Sequence, residues 1–357
     1  MKERIKPKRA LTCLLIPLLL ISLAGCATIG PNTIARDRFD YSGGLATSWK
    51  NQMLLNIVKL RYMDTPVFLD VTSVINSYTL QSEVNLGMTF KSPSSENSQT
   101  LGGKGLYSDR PTITYSQLLG DKFSKALLTP TPPRTIFSMI QVGWRADVLI
   151  RLSVKSLNGI YNQGSRGANR QDYDPRFLSL VEAMRRIQLS DAVGMRIRTT
   201  EDGATPLIFF RRNLSEEVMK DILFVRETLG LDPDATELSL RFDAVPAHDR
   251  ELAVLTRSML EVLIAISLGV DVPPEDVQEN RAVPAPTDPG FEPLIRIHSG
   301  KEMPKDAFTS VPYRDRWFWV EDTDLDSKRL FTFLIVLFTL TETGESGPQP
   351  VITIPAG

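Results

Sequence analysis

The chain has 357 residues, 42% of them hydrophobic and 23% charged, with 41 Lys and Arg against 42 Asp and Glu. That is the make-up of a globular protein of one large or two ordinary domains. The balanced charge excludes the clustered excess of Lys and Arg that nucleic-acid binding needs. With two cysteines, Cys13 and Cys26, and two histidines, His248 and His298, a Cys-rich zinc site and a multi-histidine metal centre are excluded as well. No cofactor and no metal site is expected.

The chain opens with Lys2, Arg4, Lys6, Lys8 and Arg9 against Glu3, followed by an apolar run from Leu11 to Leu23 interrupted by Pro17, then Ala24 and Gly25 before Cys26. A basic segment, a short apolar segment and small residues make a secretory signal. The apolar run falls short of the ~20 residues of a membrane-spanning helix. Leu23-Ala24-Gly25-Cys26 resembles the lipobox of bacterial lipoprotein precursors. The resemblance covers residues 1–26 only. It implies cleavage before Cys26, a diacylglycerol on its sulfur and usually a third acyl chain, such as palmitate, on the new amino group. The body would then be membrane-bound through acyl chains on Cys26, which as two or more chains hold stably. Cleavage removes five basic and one acidic residue, leaving a net charge of −5 and no free thiol. Ala27, rather than the Asp that retains well-studied lipoproteins at the inner membrane, points by the same resemblance to the periplasmic face of the outer membrane.

Residues 26–45, with Gly30, Pro31, Gly43 and Gly44, read as a lipidated tether. Thr47 or Ser48 can cap an amphipathic helix carrying Trp49, Met53, Leu54, Ile57 and Val58, which Pro66 ends. From Tyr78 to Phe90 the even positions are mostly apolar and the odd ones polar, which predicts a long half-buried strand. The stretch from Ser92 to Gly105 reads as a polar tip, with the return strand expected from Pro111 to Tyr115. A helix is expected around Thr135 to Ile140. Val148, Ile150, Leu152 and Val154 alternate with polar residues as a strand, and Asn158-Gly159 is a hairpin signal. The nearly apolar-free segment 162–174 marks a boundary between an N-terminal lobe, 46–160, and a C-terminal lobe, 174–357.

In the second lobe, Asp174 and Pro175 open a helix bearing Phe177, Val181, Met184 and Ile187. Strands are expected at Val193 to Arg198 and Leu207 to Arg211. Ser215 caps a helix that Gly230 closes, and a strand follows around Leu238 to Ala244. A helix is expected from Asp249 to Leu268. Strands near Ile295 and at Trp317 to Val320, a helix from Asp324 to Leu340 and a last strand at Val351 to Ile354 complete the order. Helices and strands interleaved without a βαβ repeat predict an α+β fold, a mixed sheet with packed helices in one or two lobes.

Leu330 to Leu340 is too short to span a membrane and reads as a buried helix. The acids Glu321, Asp322, Asp324 and Asp326 fail the EF-hand pattern and suit a helix N-terminus. Tyr313, Trp317 and Trp319 share one face of an extended strand; that face is either core or a binding shelf for a sugar ring or a partner side chain, and core is the expectation. Hydrolase and P-loop signatures are missing: Gly344-Glu345-Ser346-Gly347-Pro348 is no nucleophile elbow. No catalytic residue is assigned. The function expected is a non-catalytic outer-membrane lipoprotein that scaffolds or assists an envelope assembly through an unknown envelope protein partner. A cell-wall sugar binder or carboxylate-dependent hydrolase is one alternative. An oligomer inserting the Tyr78 to Tyr115 hairpin into the membrane is another. A hairpin packing its even face on the body is the expectation.

Overall fold

A computed structural model of the chain describes residues 33–75, 78–89, 98–162, 174–200, 203–211, 214–284 and 293–341. Cys26 and the expected signal, most of the expected boundary segment and the last expected strand lie outside the described residues. The first helix, α1 (Thr33–Arg61), is 29 residues long. It starts well before Thr47, so the second half of the expected tether is helical and carries Gly43 and Gly44. Its buried face of Met53, Leu54, Ile57 and Val58 is the one read from the sequence.

The contacts group residues 33–48 with Leu69–Gln117 as one unit, and Trp49–Phe68 with the described residues from Leu118 onward as another. The first unit holds β1 (Leu69–Ile75), β2 (Tyr78–Thr89), β3 (Ser98–Asp109) and β4 (Thr112–Gln117), where β1 pairs with β4 and β2 with β3.

Beyond the part of α1 from Trp49 onward, the second unit holds α2 (Gly120–Phe123), which widens into a π turn at Ser124–Leu128, then α3 (Pro133–Gln141) and α4 (Ala146–Ser153). Residues 148–152 are therefore helix and not strand. Leu149 lies between Val148 and Ile150, and of the buried residues Ala146, Leu149, Ile150, Leu152 and Ser153 all but Leu152 follow the helical i, i+3, i+4, i+7 spacing. The strand starts only at β5 (Val154–Leu157). Asn158 and Gly159 take positive φ of 44° and 82° and return the chain as β6 (Ile160–Tyr161), as the sequence predicts. The Asn158 side chain donates to the Leu229 carbonyl at 2.9 Å and accepts from the Ala253 amide at 2.8 Å, tying the turn to the sheet.

Next come α5 (Arg176–Leu189), β7 (Val193–Thr200), β8 (Gly203–Phe210), α6 (Glu216–Leu229), β9 (Glu237–Arg241) and β10 (Glu251–Thr256). α5 starts one residue later than expected, with Pro175 at its N-cap, and Asp174 just before it accepts from the Arg176 amide at 2.9 Å. Ser215 accepts from Val218, and Gly230 closes α6 at φ 65°. β10 corrects the helix expected from Asp249. Its residues are almost all buried, because it runs through the interior of the six-stranded sheet β6-β5-β10-β9-β8-β7. A strand covered on both faces shows no alternation, so its apolar run is indistinguishable from a buried helix. β10 is parallel to β9, and every other pair in that sheet is antiparallel. The fold is α+β with a mixed sheet. That sheet takes β5 and β6 from the expected first lobe and β7 to β10 from the second, so 46–160 and 174–357 do not separate as lobes.

The helix expected at Asp249 begins instead as α7 (Met259–Ser267), where Ser258 and Glu261 form a reciprocal capping box. Burial works to raise the Glu261 carboxyl. Hydrogen bonds from Lys155 and the Ser258 amide outweigh it and hold the group below its ordinary value of 4.5. A depressed carboxylate stabilises the fold at pH above its unfolded value, and that contribution fades as the pH falls below it. Ser258→Ala is expected to cost about 1 kcal/mol in urea unfolding near neutral pH. Glu261→Gln is expected to flatten part of the stability loss below about pH 4.5.

After α8 (Pro274–Gln278), strands β11 (His298–Gly300), β12 (Ala307–Tyr313) and β13 (Arg316–Glu321) form a three-stranded sheet in the order β11-β13-β12. The last described helix, α9 (Leu325–Thr341), is capped by Asp324, which accepts from the Ser327 amide at 3.0 Å. Phe331, Phe333, Leu334, Leu337 and Phe338 of α9 are buried, with Phe333 against Trp144 and Phe338 stacked on Phe68. Thr332 and Leu340 are exposed, so one narrow side of this apolar helix meets water.

Candidate functional site

The residues singled out in the sequence as a shelf do not all meet. Tyr313 pairs with Arg316 across the two-residue turn Arg314-Asp315, where Arg314 has φ 52°. Directly paired residues share a face, so Tyr313 stands with Phe318 and Val311 while Trp317 and Trp319 stand opposite. A continuous strand would have put all three together; the turn reverses the parity. Tyr313 donates to Asp64 at 3.0 Å and leans on Tyr62 at 5.4 Å, with the Arg314 guanidinium over both rings. Burial, and then the Asp64 bond, raise its phenol.

The core face of β13 is Phe318 and Val320, whereas Trp317 and Trp319 are half-buried on the outer face. The core expectation for the tryptophans thus falls to their neighbours. Trp319 donates to Glu321 at 2.9 Å, lies 5.7 Å from the His298 ring and covers Gly300, where a Cβ would come within 3.2 Å of the indole. Its outer face could stack a planar or cyclic group.

The longer feature is the hairpin of β1 to β4. β2 and β3 pair without interruption from Tyr78↔Asp109 to Thr89↔Ser98. β1 and β4 extend the ladder from Ile75↔Thr112 to Leu69↔Gln117, with one register shift between Val71 and Ser73. The return strand therefore starts at Ser98, inside the expected polar tip, and Pro111 falls between β3 and β4.

Register and strand alternation sort the residues of β2 and β3 into two columns. One contains Tyr78, Leu80, Ser82, Val84, Leu86 and Met88 opposite Asp109, Tyr107, Gly105, Gly103, Leu101 and Gln99. The other contains Gln81, Glu83, Asn85 and Thr89 opposite Leu106, Lys104, Gly102 and Ser98. Apart from Asp109 at its base, the first column carries no charge; in the second, Glu83 sits directly opposite Lys104. Of the described residues nearer the base, Leu106, Ile113 and Tyr115 are exposed.

Among the described residues β2 and β3 each pair with one strand only, so no further strand lies along either outer edge of this pair. No family model, no curated protein and no solved structure matches this chain.

A two-stranded hairpin is marginal in water, and Gly87, Gly102, Gly103 and Gly105 weaken it further. Long open edges invite pairing with another chain. Among the described residues no group of three or more His, Cys, Asp or Glu could hold a metal ion, and no described helix is long and apolar enough to cross a membrane.

Proposed function

We propose that this protein is a lipid-anchored, non-catalytic subunit of an oligomeric assembly in the outer membrane, to which each copy contributes the β2–β3 hairpin as two strands of a shared barrel. The observation that carries this reading is the uninterrupted register that gathers Tyr78, Leu80, Val84, Leu86 and Met88 in one column of the hairpin and Gln81, Glu83, Asn85 and Lys104 in the other. A strand of 12 residues measures roughly 37 Å at ~3.4 Å per residue. Tilted by ~45°, it covers the ~30 Å hydrocarbon layer to within a few ångströms.

In lipid every backbone group must find a partner, and an open two-stranded sheet cannot supply them. Copies joined edge to edge, β2 of one to β3 of the next, close the ladder and remove both edges. The column of Leu80, Val84, Leu86 and Met88 then faces lipid, with Tyr78 and Tyr107 at the level of an interfacial aromatic girdle. The column of Gln81, Glu83, Asn85 and Lys104 faces the lumen. The lipobox at Cys26 supports the same reading, since acyl chains would hold the body where the hairpin can insert.

Full-length protein extracted from membranes in mild detergent is expected to run as a large oligomer with ring-shaped particles. Cys26→Ala is expected to abolish fatty-acid labelling and stop maturation or release the body from membranes. A monomeric extract would sink the barrel, and unchanged labelling in Cys26→Ala would sink the anchor.

A further inference from the structure

The six-stranded sheet ends at β7, which among the described residues pairs with β8 only. Two backbone bonds fix which groups of β7 are left over. The Arg211 amide donates to the Ala192 carbonyl at 2.8 Å, whereas the Phe210 amide turns the other way, to the Thr236 carbonyl at 3.2 Å. Bonded pairs alternate along an antiparallel ladder. Gly194, Arg196 and Arg198 therefore bond to β8, and Val193, Met195 and Ile197 point their amides and carbonyls outward.

The two faces of this edge differ. Val193 and Met195 line, with Ile208 of β8, Ile140 of α3 and Ile187 of α5, a cavity of about 510 Å³. Ile197, next along the same face, is exposed. On the opposite face Arg196 and Arg198 are more than half exposed and share the carboxylate of Glu237. Arg196 also lies over the Phe209 ring at 5.6 Å. Two guanidiniums on one carboxylate leave a positive charge unmatched beside the edge.

An open edge takes an extended segment by main-chain bonds, and pockets for alternate side chains select its sequence. Residues of an added strand that lie beside Val193 and Met195 send their side chains to the cavity face. The residues between them meet Arg196 and Arg198. A second copy of β7 fits badly, because antiparallel pairing of two copies crowds the arginines of both on one face.

We infer that the β7 edge is a docking site for an extended segment of another protein in which aliphatic and acidic residues alternate. The segment adds as one more strand of the sheet, its aliphatic side chains entering the cavity and its acids meeting Arg196 and Arg198. The site lies within the second unit and does not rest on the hairpin's role.

The test titrates full-length protein in detergent against labelled octapeptides, read by fluorescence anisotropy. One peptide alternates Val and Glu, one alternates Val and Lys, and one repeats Val-Val-Glu-Glu. The Val-Glu peptide is expected to bind saturably and about tenfold more tightly than Val-Lys, since two charge contacts change sign. The Val-Val-Glu-Glu peptide, equal in composition but without the alternation, is expected not to bind. Arg196→Gln combined with Arg198→Gln is expected to bring Val-Glu and Val-Lys to equal affinity. N-methylation of alternate peptide amides removes the donors from one edge of the peptide at a time. Methylating one set is expected to abolish binding and methylating the other to spare it. This arm leaves the protein unaltered, so it stands even if the arginine variant unfolds. The proposal is overturned if Val-Glu binds no better than Val-Lys or Val-Val-Glu-Glu, or if both methylated peptides bind in full. An undiminished preference for Val-Glu in the folded arginine variant overturns it as well.

Discussion

Replacing Val84 or Leu86 with arginine is expected to abolish the detergent-stable oligomer, whereas the same replacement at Gln81 or Asn85 leaves it assembled. Val84 and Leu86 occupy the middle of the apolar column, opposite Gly103 and Leu101. In the inserted barrel those positions sit near the bilayer midplane, where an arginine costs ~2–4 kcal/mol. Every copy carries the substitution, so the penalty is paid once per subunit and assembly fails as a whole. Asn85 lies between Val84 and Leu86 in sequence and Gln81 three residues before Val84, both on the column that would face water in the lumen. Native electrophoresis of membrane extracts reads the difference directly. The thermal midpoint of the second unit should not move, which separates lost insertion from lost folding. If both faces tolerate arginine equally, the hairpin is not in lipid. If both are destructive, its two faces are both packed against protein.

Phe318→Ala is expected to cost ~3–5 kcal/mol, while Trp317→Ala costs about half as much although it deletes a larger ring. Phe318 is 1% exposed and lies edge-on to Tyr62 at 6.1 Å and near Tyr313 at 6.5 Å. Removing it opens a cavity in the shared core. Trp317 is half-buried on the opposite face of β13, so part of its ring already meets water. Loss of 3–5 kcal/mol is a large share of the ~5–15 kcal/mol that holds a domain folded. Paired urea or thermal unfolding curves compare the two. Should Trp317→Ala be the more harmful, the outer face of the three-stranded sheet is covered in the native protein, and its use as a shelf falls.

Where a local signal was sufficient, the sequence alone placed the element. Ser215 and Gly230 bracket α6, Asp174 opens α5, Asn158-Gly159 turns the chain between β5 and β6, and Asp324 caps α9. Each is an interaction among residues within a few positions of one another, so no distant partner was needed to read it. The alternation over β2 was legible for the same reason. Its partner was not, because Gly102, Gly103 and Gly105 put no side chain where the pattern looked for one; only the pairing of β2 with Ser98–Asp109 reveals the second half of the two-faced hairpin.

Tertiary structure decided the rest. Residues 148–152 and 251–256 exchanged their expected forms, since an apolar run takes helix or strand according to what covers it. Tyr313 parted from Trp317 and Trp319 because a two-residue turn reversed the strand between them. Arg61 sits in sequence as one more basic residue in the last turn of a helix, where the dipole favours it. Its burial at 2% exposure is a product of the fold alone, because sequence spacing carries no information about which chain segments close over a side chain.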